Sequence, residues 1–406
     1  MVPQSGRIVV VGASLAGLQA AQTFRRADFD GALIMIGDEP HYPYDRPPLS
    51  KQYLAGEWPE EKLRLRAAVD PEELGIDWRL GTAATSLDLA ARSVALSDGS
   101  TVDYDGLVIA TGAAARSLPG AELAGVHVLR SLDDAIALRH EFDQNPRRVC
   151  VIGAGFIGAE VAATARERGL EVSLIEAADA PMSRVLDQAA GMAIADLHRS
   201  HGVEVRLGVG VEAIVGSEVG VERVHLVDGS SIEADCVVIG IGVVPNTAWL
   251  EGSGLRIDNG VVCDETCLAA PSVVAAGDVA RWPNRRFGSE LTRVEQWDNA
   301  VDQGAYAARR LLATANDSPI DPFTPVPWFW SDQYDRKIQL AGVPSSRAEV
   351  VHGSIAEQRF VQIYSDPSGE SLVGALAWNR PRQAIMARQL VERGASMDEG
   401  RADLSG

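Results

Sequence analysis

Arg148-Val149-Cys150-Val151-Ile152-Gly153-Ala154-Gly155-Phe156-Ile157-Gly158 is the stretch that decides the fold. A β-branched apolar run predicts a buried strand, and the glycines that follow predict a tight turn into a helix. Gly153, Gly155 and Gly158 complete the pattern G-x-G-x-x-G. Such a turn lets backbone approach a pyrophosphate, and the helix behind it offers free N–H groups to the anion. The helix is expected from Ala159 to Arg168, stopped by Gly169, with an apolar strand over Val172 to Ile175.

The same design occurs nearer the N-terminus, in Arg7-Ile8-Val9-Val10-Val11-Gly12-Ala13-Ser14-Leu15-Ala16-Gly17. A helix is expected to continue from Leu18 to Arg26 and a strand to follow at Ala32 to Ile36. Ser14 stands where the second glycine would be, so this turn fits more loosely. Each copy ends its second strand in an acid, Asp38 or Glu176, close to the roughly 20-residue offset of a ribose-binding carboxylate. A carboxylate accepts from a ribose 2′-hydroxyl and repels a 2′-phosphate. Glu176 is followed by Ala-Ala-Asp rather than by arginine, which favours NADH over NADPH, although Arg184 lies nearby.

Working outward, Leu107 to Gly112 and Val237 to Gly242 each read as a strand that closes one unit, and Val273 to Asp278 as a return strand. That order is explained if the second dinucleotide domain is inserted into the first. The expected fold class is α/β, with two nested Rossmann-like domains and a C-terminal α+β domain. The expected boundaries are 1–114 with 244–322, 115–243, and 323–406. Residues from about Ser396 are small and polar and are expected to fray.

Composition bounds the rest. The chain has 406 residues, too many for one core. Its net charge of −19 argues against nucleic acid and anionic membrane as partners. No apolar run reaches the roughly 18 residues of a membrane span. The first apolar run is short and ends in Gly12, so it reads as a strand rather than a secretory signal, and a cytoplasmic protein is expected. Basic residues nevertheless cluster at Arg281, Arg285 and Arg286 and at Arg380 and Arg382. The seven histidines form no catalytic arrangement and are expected to be surface or satisfied residues. Cys263 and Cys267, without a histidine beside them, do not make a zinc site, and no metal is expected.

Four further segments carry a family resemblance. Ala275-Ala276-Gly277-Asp278 looks like the flavin motif of FAD-dependent pyridine nucleotide oxidoreductases, and Ala110-Thr111-Gly112 resembles another of their motifs. Tyr44-Asp45-Arg46-Pro47-Pro48-Leu49-Ser50-Lys51 and Pro327-Trp328-Phe329-Trp330-Ser331-Asp332-Gln333 are more specific. Together they resemble the ferredoxin reductases that serve bacterial oxygenases, over nearly the whole chain. The resemblance implies FAD in the first unit and NADH in the second. For FAD it implies contacts from Gly12, Ser14, Leu15, Ala16, Gly17, Asp38, Arg46, Lys51, Ala84, Ala110, Thr111, Gly112, Arg130, Gly277, Asp278, Glu295, Gln296 and Trp297. For NADH it implies Gly153, Gly155, Phe156, Ile157, Gly158, Glu160, Glu176, Gly240, Ile241 and Gly242. Lys51 is expected near the flavin ring and paired with Glu160, which would meet the nicotinamide carboxamide. Trp330 is expected against the flavin, and these three are the candidate catalytic residues.

The cysteines narrow the chemistry. Disulfide reductases on this fold need a C-x4-C or C-x2-C redox pair, and neither occurs. Lone-cysteine peroxidases and oxidases place a cysteine near Pro47 to Ser50, and that is absent too. The expected function is NADH-dependent reduction, through FAD, of a [2Fe–2S] ferredoxin that feeds a haem-thiolate or Rieske oxygenase. The arginine clusters would steer transient docking, and the protein would be a monomer or weak dimer. An NADH oxidase, quinone or dye reductase, or a redox-sensing protein of the apoptosis-inducing-factor type, are the alternatives.

Overall fold

The structure is a computed structural model, and it describes residues 2–65, 71–316 and 320–406. The chain forms two compact units. The first comprises Met1–Asp45, Arg64–Ala114 and Val244–Pro327; the second comprises Arg46–Leu63, Ala115–Val243 and Trp328–Gly406.

In the first unit six strands lie in the order Leu268–Ala270, Val273–Ala275, Gly106–Ile109, Arg7–Val11, Ala32–Ile36, Ile76–Arg79. All neighbours are parallel except the first two. The continuous apolar runs follow from burial on both faces. Ile8, Val10, Leu33, Met35 and Val108 face the helices Leu15–Arg26 and Trp297–Asn316, in a core with Phe24 and Leu311. The alternate residues Val9, Val11, Ile34, Ile36 and Leu107 face the other way, toward Leu87, Val94 and Leu96. Those three belong to an antiparallel meander of Ala84–Asp88, Ser93–Leu96 and Thr101–Asp103.

The second unit contains a parallel sheet in the order Glu204–Leu207, Glu171–Glu176, Arg148–Ile152, Cys236–Ile239, Val126–Val128. A second meander, Val211–Ser217, Gly220–Leu226 and Ser231–Glu233, covers it through Ile214, Val224 and Leu226. The unit also holds an antiparallel sheet of Trp328–Gln333, Arg336–Gly342, Leu372–Trp378, Arg359–Ser365 and Ala348–Ser354. Phe329, Leu340, Phe360 and Trp378 from this sheet pack on Ala159, Ile194 and Leu197, which lie on the helices Phe156–Glu167 and Gln188–Ser200.

Several local expectations are corrected. Both glycine-turn helices begin earlier than expected, at Leu15 and Phe156, because the third glycine lies inside the first turn. The C-terminus does not fray. Ser396 accepts from the Glu399 amide while Glu399 accepts from the Ser396 amide, a reciprocal cap that starts the helix Met397–Leu404. Met397 and Leu404 anchor that helix by burial.

Candidate dinucleotide sites

The two glycine turns share one geometry. Gly12 (φ +119°) and Gly153 (φ +98°) end their strands in a conformation that disfavours side chains. A Cβ on Gly12 would lie 2.1 Å from the Ala110 carbonyl oxygen, and one on Gly153 would lie 2.4 Å from that of Gly240. The third glycines are equally confined: a Cβ on Gly17 or Gly158 would strike the carbonyl of Gly12 or Gly153. Gly240 in turn packs on Gly158, and Gly277 on Ala16. These positions are small because protein packs on protein.

Gly155 is different. A Cβ there would meet nothing closer than 4.0 Å. Packing does not demand this glycine, and the space beside it is open to the close approach of a ligand. Ser14, its counterpart, caps no backbone N–H with its side chain.

The helix ends point the same way. Ser131, Asp187 and Ser396 each cap a helix with their side chains. The helices after the two glycine turns have no such cap and no acid in the first turn. Their first N–H groups and positive dipole ends are left for an anion. Beside Phe156, which packs edge-on against Phe329, Ile157 is 41% exposed. A dinucleotide phosphate fits this combination of open glycine, uncapped N–H groups and exposed apolar rim.

Glu176 sits at the end of its strand. Its carboxylate accepts from the amides of Ala154, in the glycine turn, at 2.7 Å and of Ala178 at 2.9 Å. These two bonds hold the carboxylate at the turn with lone pairs to spare. Asp38 holds the equivalent place in the first unit and is exposed. Gly242 (φ +99°) has the Arg184 guanidinium 3.4 Å from its Cβ position, and Ile241 lies between the two glycines.

In the first unit, the other expected FAD contacts fall into three groups. Thr111 donates its hydroxyl to the Asn246 carbonyl, and Asn246 returns a side-chain bond to the Thr111 carbonyl and a backbone bond to Gly112. The Thr111 hydroxyl therefore clamps the chain where it re-enters the unit. Arg293 donates to the carbonyl of Asp278 and pairs with Glu295 at 2.6 Å. Trp297 opens its helix and donates from Nε1 to Asp45 at 2.7 Å, while Gln296 Oε1 is buried without a partner among the described residues. Ala84 starts the meander, away from these groups in sequence and half-buried against the core.

In the second unit Arg46 donates to the carbonyl of Arg130, whose amide donates to Asp134. The densest cluster surrounds Glu160, 3% exposed on the helix after the second glycine turn. Lys51 Nζ lies 2.8 Å from Glu160 Oε2, which also accepts from Ser50 Oγ at 2.5 Å. Ser331 Oγ donates to Oε1 at 2.8 Å, and Thr164 donates to the Ser50 carbonyl. A buried carboxylate is tolerated when paired and hydrogen-bonded in this way. Trp330 lies on the same strand as Ser331, but its side chain belongs to the half-exposed alternate set rather than the buried one. Ser50, Thr164, Ser331, Arg293 and Asn246 were not singled out from sequence. Nothing in local spacing marks Ser50, Thr164, Ser331 and Asn246, since their partners lie more than a hundred residues away in the chain.

The four cysteines are free and buried. Burial pushes the thiols of Cys150 and Cys263 up to about 12 and raises those of Cys236 and Cys267 as well. None has the lowered pKa of a reactive thiol.

The chain is similar to known proteins over most of its length. Residues 6–304 match the family described as Pyridine nucleotide-disulphide oxidoreductase, and residues 328–403 match the domain described as Reductase C-terminal. Rhodocoxin reductase of Rhodococcus erythropolis is 40% identical, over 95% of this chain and 89% of that protein. The anthranilate 1,2-dioxygenase system ferredoxin–NAD(+) reductase component of Burkholderia cepacia is 37% identical, over 96% of this chain and 95% of its own. The reductase in the crystal structure of the covalent putidaredoxin reductase–putidaredoxin complex superposes with a TM-score of 0.88 at 34% identity, covering 96% of this chain and 93% of that one. The chain belongs to the pyridine nucleotide-disulphide oxidoreductase family and carries that family's reductase C-terminal domain.

Proposed function

We propose that the protein is an NADH-dependent, FAD-containing ferredoxin reductase that passes electrons to a [2Fe–2S] ferredoxin of an oxygenase system. The observation that carries this reading is the pair of uncapped helix N-termini behind glycine turns, joined to a chain without a redox cysteine pair. FAD, when bound, supplies the conversion between two-electron and one-electron transfer. In the first unit Gly12, Ser14, Leu15, Ala16 and Gly17 would meet its pyrophosphate and Asp38 its ribose, with Gly277, Asp278 and Trp297 along the remainder. In the second unit Gly155, Phe156, Ile157 and Glu176 would bind and orient NADH.

The protein's own contribution is binding and orientation. Glu176 selects a free 2′-hydroxyl by accepting its hydrogen bond. Lys51 brings a positive charge that is held in place by Glu160, and Ser50 and Ser331 keep that carboxylate satisfied. Electrons leave directly to an acceptor because no thiol stands between. The four unpaired thiols favour a cytoplasmic setting. Docking of ferredoxin is transient in this reading, and the protein is a monomer or weak dimer.

Anaerobic stopped-flow mixing with NADH or NADPH tests the cofactor assignment, and cytochrome c reduction with a panel of [2Fe–2S] ferredoxins tests the acceptor. NADH bleaches the flavin and ferredoxin accelerates cytochrome c reduction if the reading holds. Bleaching by NADPH alone, or fast oxygen consumption with no ferredoxin effect, overturns it.

A further inference from the structure

The helix Trp297–Asn316 carries a buried polar cluster inside the first unit. Gln303, fully buried on that helix, accepts at Oε1 from the Gly277 amide at 2.9 Å and from Asn299 Nδ2 at 3.2 Å. Its Nε2 donates to the Cys267 sulfur at 3.4 Å. Asn299, one turn earlier and also buried, donates from Nδ2 to the Val294 carbonyl at 3.2 Å. The Gly277 N–H can meet only an acceptor. The Gln303 carboxamide therefore has one orientation, oxygen toward Gly277 and nitrogen toward Cys267.

Gly277 is buried, has φ +76° and starts the short turn Gly277–Val279 after the strand Val273–Ala275. Glycine has no preference of its own that would hold this conformation. The Gln303 oxygen supplies the hold at the amide. Two atoms along, Arg293 Nη1 donates to the Asp278 carbonyl at 3.0 Å. The backbone is thus gripped by side chains on both sides of the Asp278 Cα. A buried N–H that lost its acceptor would have to rotate or admit water, and rotation of that peptide moves Asp278.

The same helix sets this turn against the first glycine turn. A Cβ on Gly304 would lie 2.1 Å from the Ala16 carbonyl oxygen. One on Gly277 would lie 3.1 Å from the Ala16 Cβ and 3.9 Å from that of Ala300. Ala16, Ala276, Ala300 and Ala307 share one core. Gln303 therefore sits where the helix meets the start of the helix Leu15–Arg26 and the Gly277 turn together.

We propose that Gln303 is a positioning residue for FAD, which acts through the Gly277 amide to hold the Gly277–Asp278 turn in register with the glycine turn at Ala16. The proposal rests on the reading of Ala16 and Asp278 as FAD contacts.

The test compares Gln303→Met, similar in length but without the amide, with Gln303→Glu. Burial favours the neutral acid of the glutamate, which accepts at one oxygen and donates at the other as the amide does. Apoprotein prepared from the holoprotein is titrated with FAD by flavin fluorescence, and its amide exchange is followed by mass spectrometry. Gln303→Met is expected to weaken FAD binding about tenfold, the scale of one buried group left unsatisfied, and to speed exchange at residues 276–279 but not along the helix. Gln303→Glu is expected to restore most of the affinity. Cys267→Ala is expected to weaken binding about threefold alone and to have no further effect beside Gln303→Met. Unchanged FAD affinity in Gln303→Met, equal losses in the two Gln303 variants, or exchange raised across the whole unit would each overturn the proposal. If Gln303→Met does not fold, Cys267→Ala decides, and unchanged affinity and exchange there overturn the proposal as well. If the wild-type apoprotein takes up no FAD, the proposed function fails. Exchange at residues 276–279 in Gln303→Met still decides whether Gln303 holds the turn.

Discussion

Gly153 and Gly155 stand two residues apart and answer to different demands. A Cβ on Gly153 would collide with the Gly240 carbonyl from a positive-φ position, whereas one on Gly155 enters open space. Gly153→Ala is therefore expected to cost about 3 kcal/mol or more in urea unfolding. Gly155→Ala is expected to leave stability within about 0.5 kcal/mol and to weaken NADH binding about tenfold in a fluorescence titration. His198 supplies a second test at this scale. Burial lowers its pKa from 6.5 to about 4. The unfolded chain then binds a proton between those values that the folded chain refuses. Stability is fully retained above pH 6.5 and falls as the pH drops toward 4, by roughly 3 kcal/mol in the limit. Half-buried His127, lowered by desolvation despite Glu141, adds a change of the same sign. Urea midpoints at pH 7 and pH 5 measure the drop, and His198→Gln is expected to shrink it. The glycines and Glu176 were legible in sequence because their chemistry is local and their spacing is fixed by one βαβ turn. Ser331 and His198 were not, because their meaning comes from partners more than a hundred residues away.

At the level of elements, Asp187 shows how a cap doubles as a tether. Its Oδ1 accepts from the amides of Ala189 and Ala190 at the start of the helix Gln188–Ser200. Its Oδ2 accepts from Gln362 Nε2 and, at 3.1 Å, from Tyr364, both on the antiparallel sheet. Asp187→Ala removes a cap worth about 1 kcal/mol and leaves the buried Tyr364 hydroxyl without its acceptor, Gln362 keeping its bond to Tyr364. A total loss of about 3 kcal/mol is expected in urea unfolding, and Asp187→Asn is expected to recover most of the capping part. The parallel strands and their helices were legible as elements because apolar runs and glycine stops set them. The helix Met397–Leu404 was misread as a frayed end because small polar residues mask the cap formed by Ser396 and Glu399.

Over the whole molecule, charge is the property that composition states and structure redistributes. The net charge of −19 leaves few places for an acidic partner. Of the two arginine clusters seen in the sequence, the first is met by its neighbours: Arg281 pairs with Asp258, Arg285 with Glu265, and Arg286 donates to the Thr324 carbonyl. Arg382 in the second is exposed at the start of the helix Pro381–Glu392, on the side where Ile385 is 58% exposed. Under the proposed function, Arg382→Glu is expected to raise the ferredoxin KM about threefold to tenfold at low salt and much less at 0.5 M salt, as screening removes the field. Cytochrome c reduction at the two ionic strengths reads the difference.

The discontinuous first unit has a consequence for synthesis. Every strand of the parallel sheet Glu204–Leu207 to Val126–Val128 has been made once the chain reaches Ile239. The sheet that began with Arg7–Val11 still lacks Val273–Ala275, and its covering helix Trp297–Asn316 is later still. On the ribosome the earlier segments must wait, with an uncovered apolar face, while the later ones pair. Chains stalled near residue 285, with Ile239 clear of the exit tunnel, are therefore expected to protect the Arg148–Ile239 region from protease and to leave Arg7–Ile109 open to cleavage and to capture by chaperones. Protection there would appear only after the nascent chain has grown past Asn316.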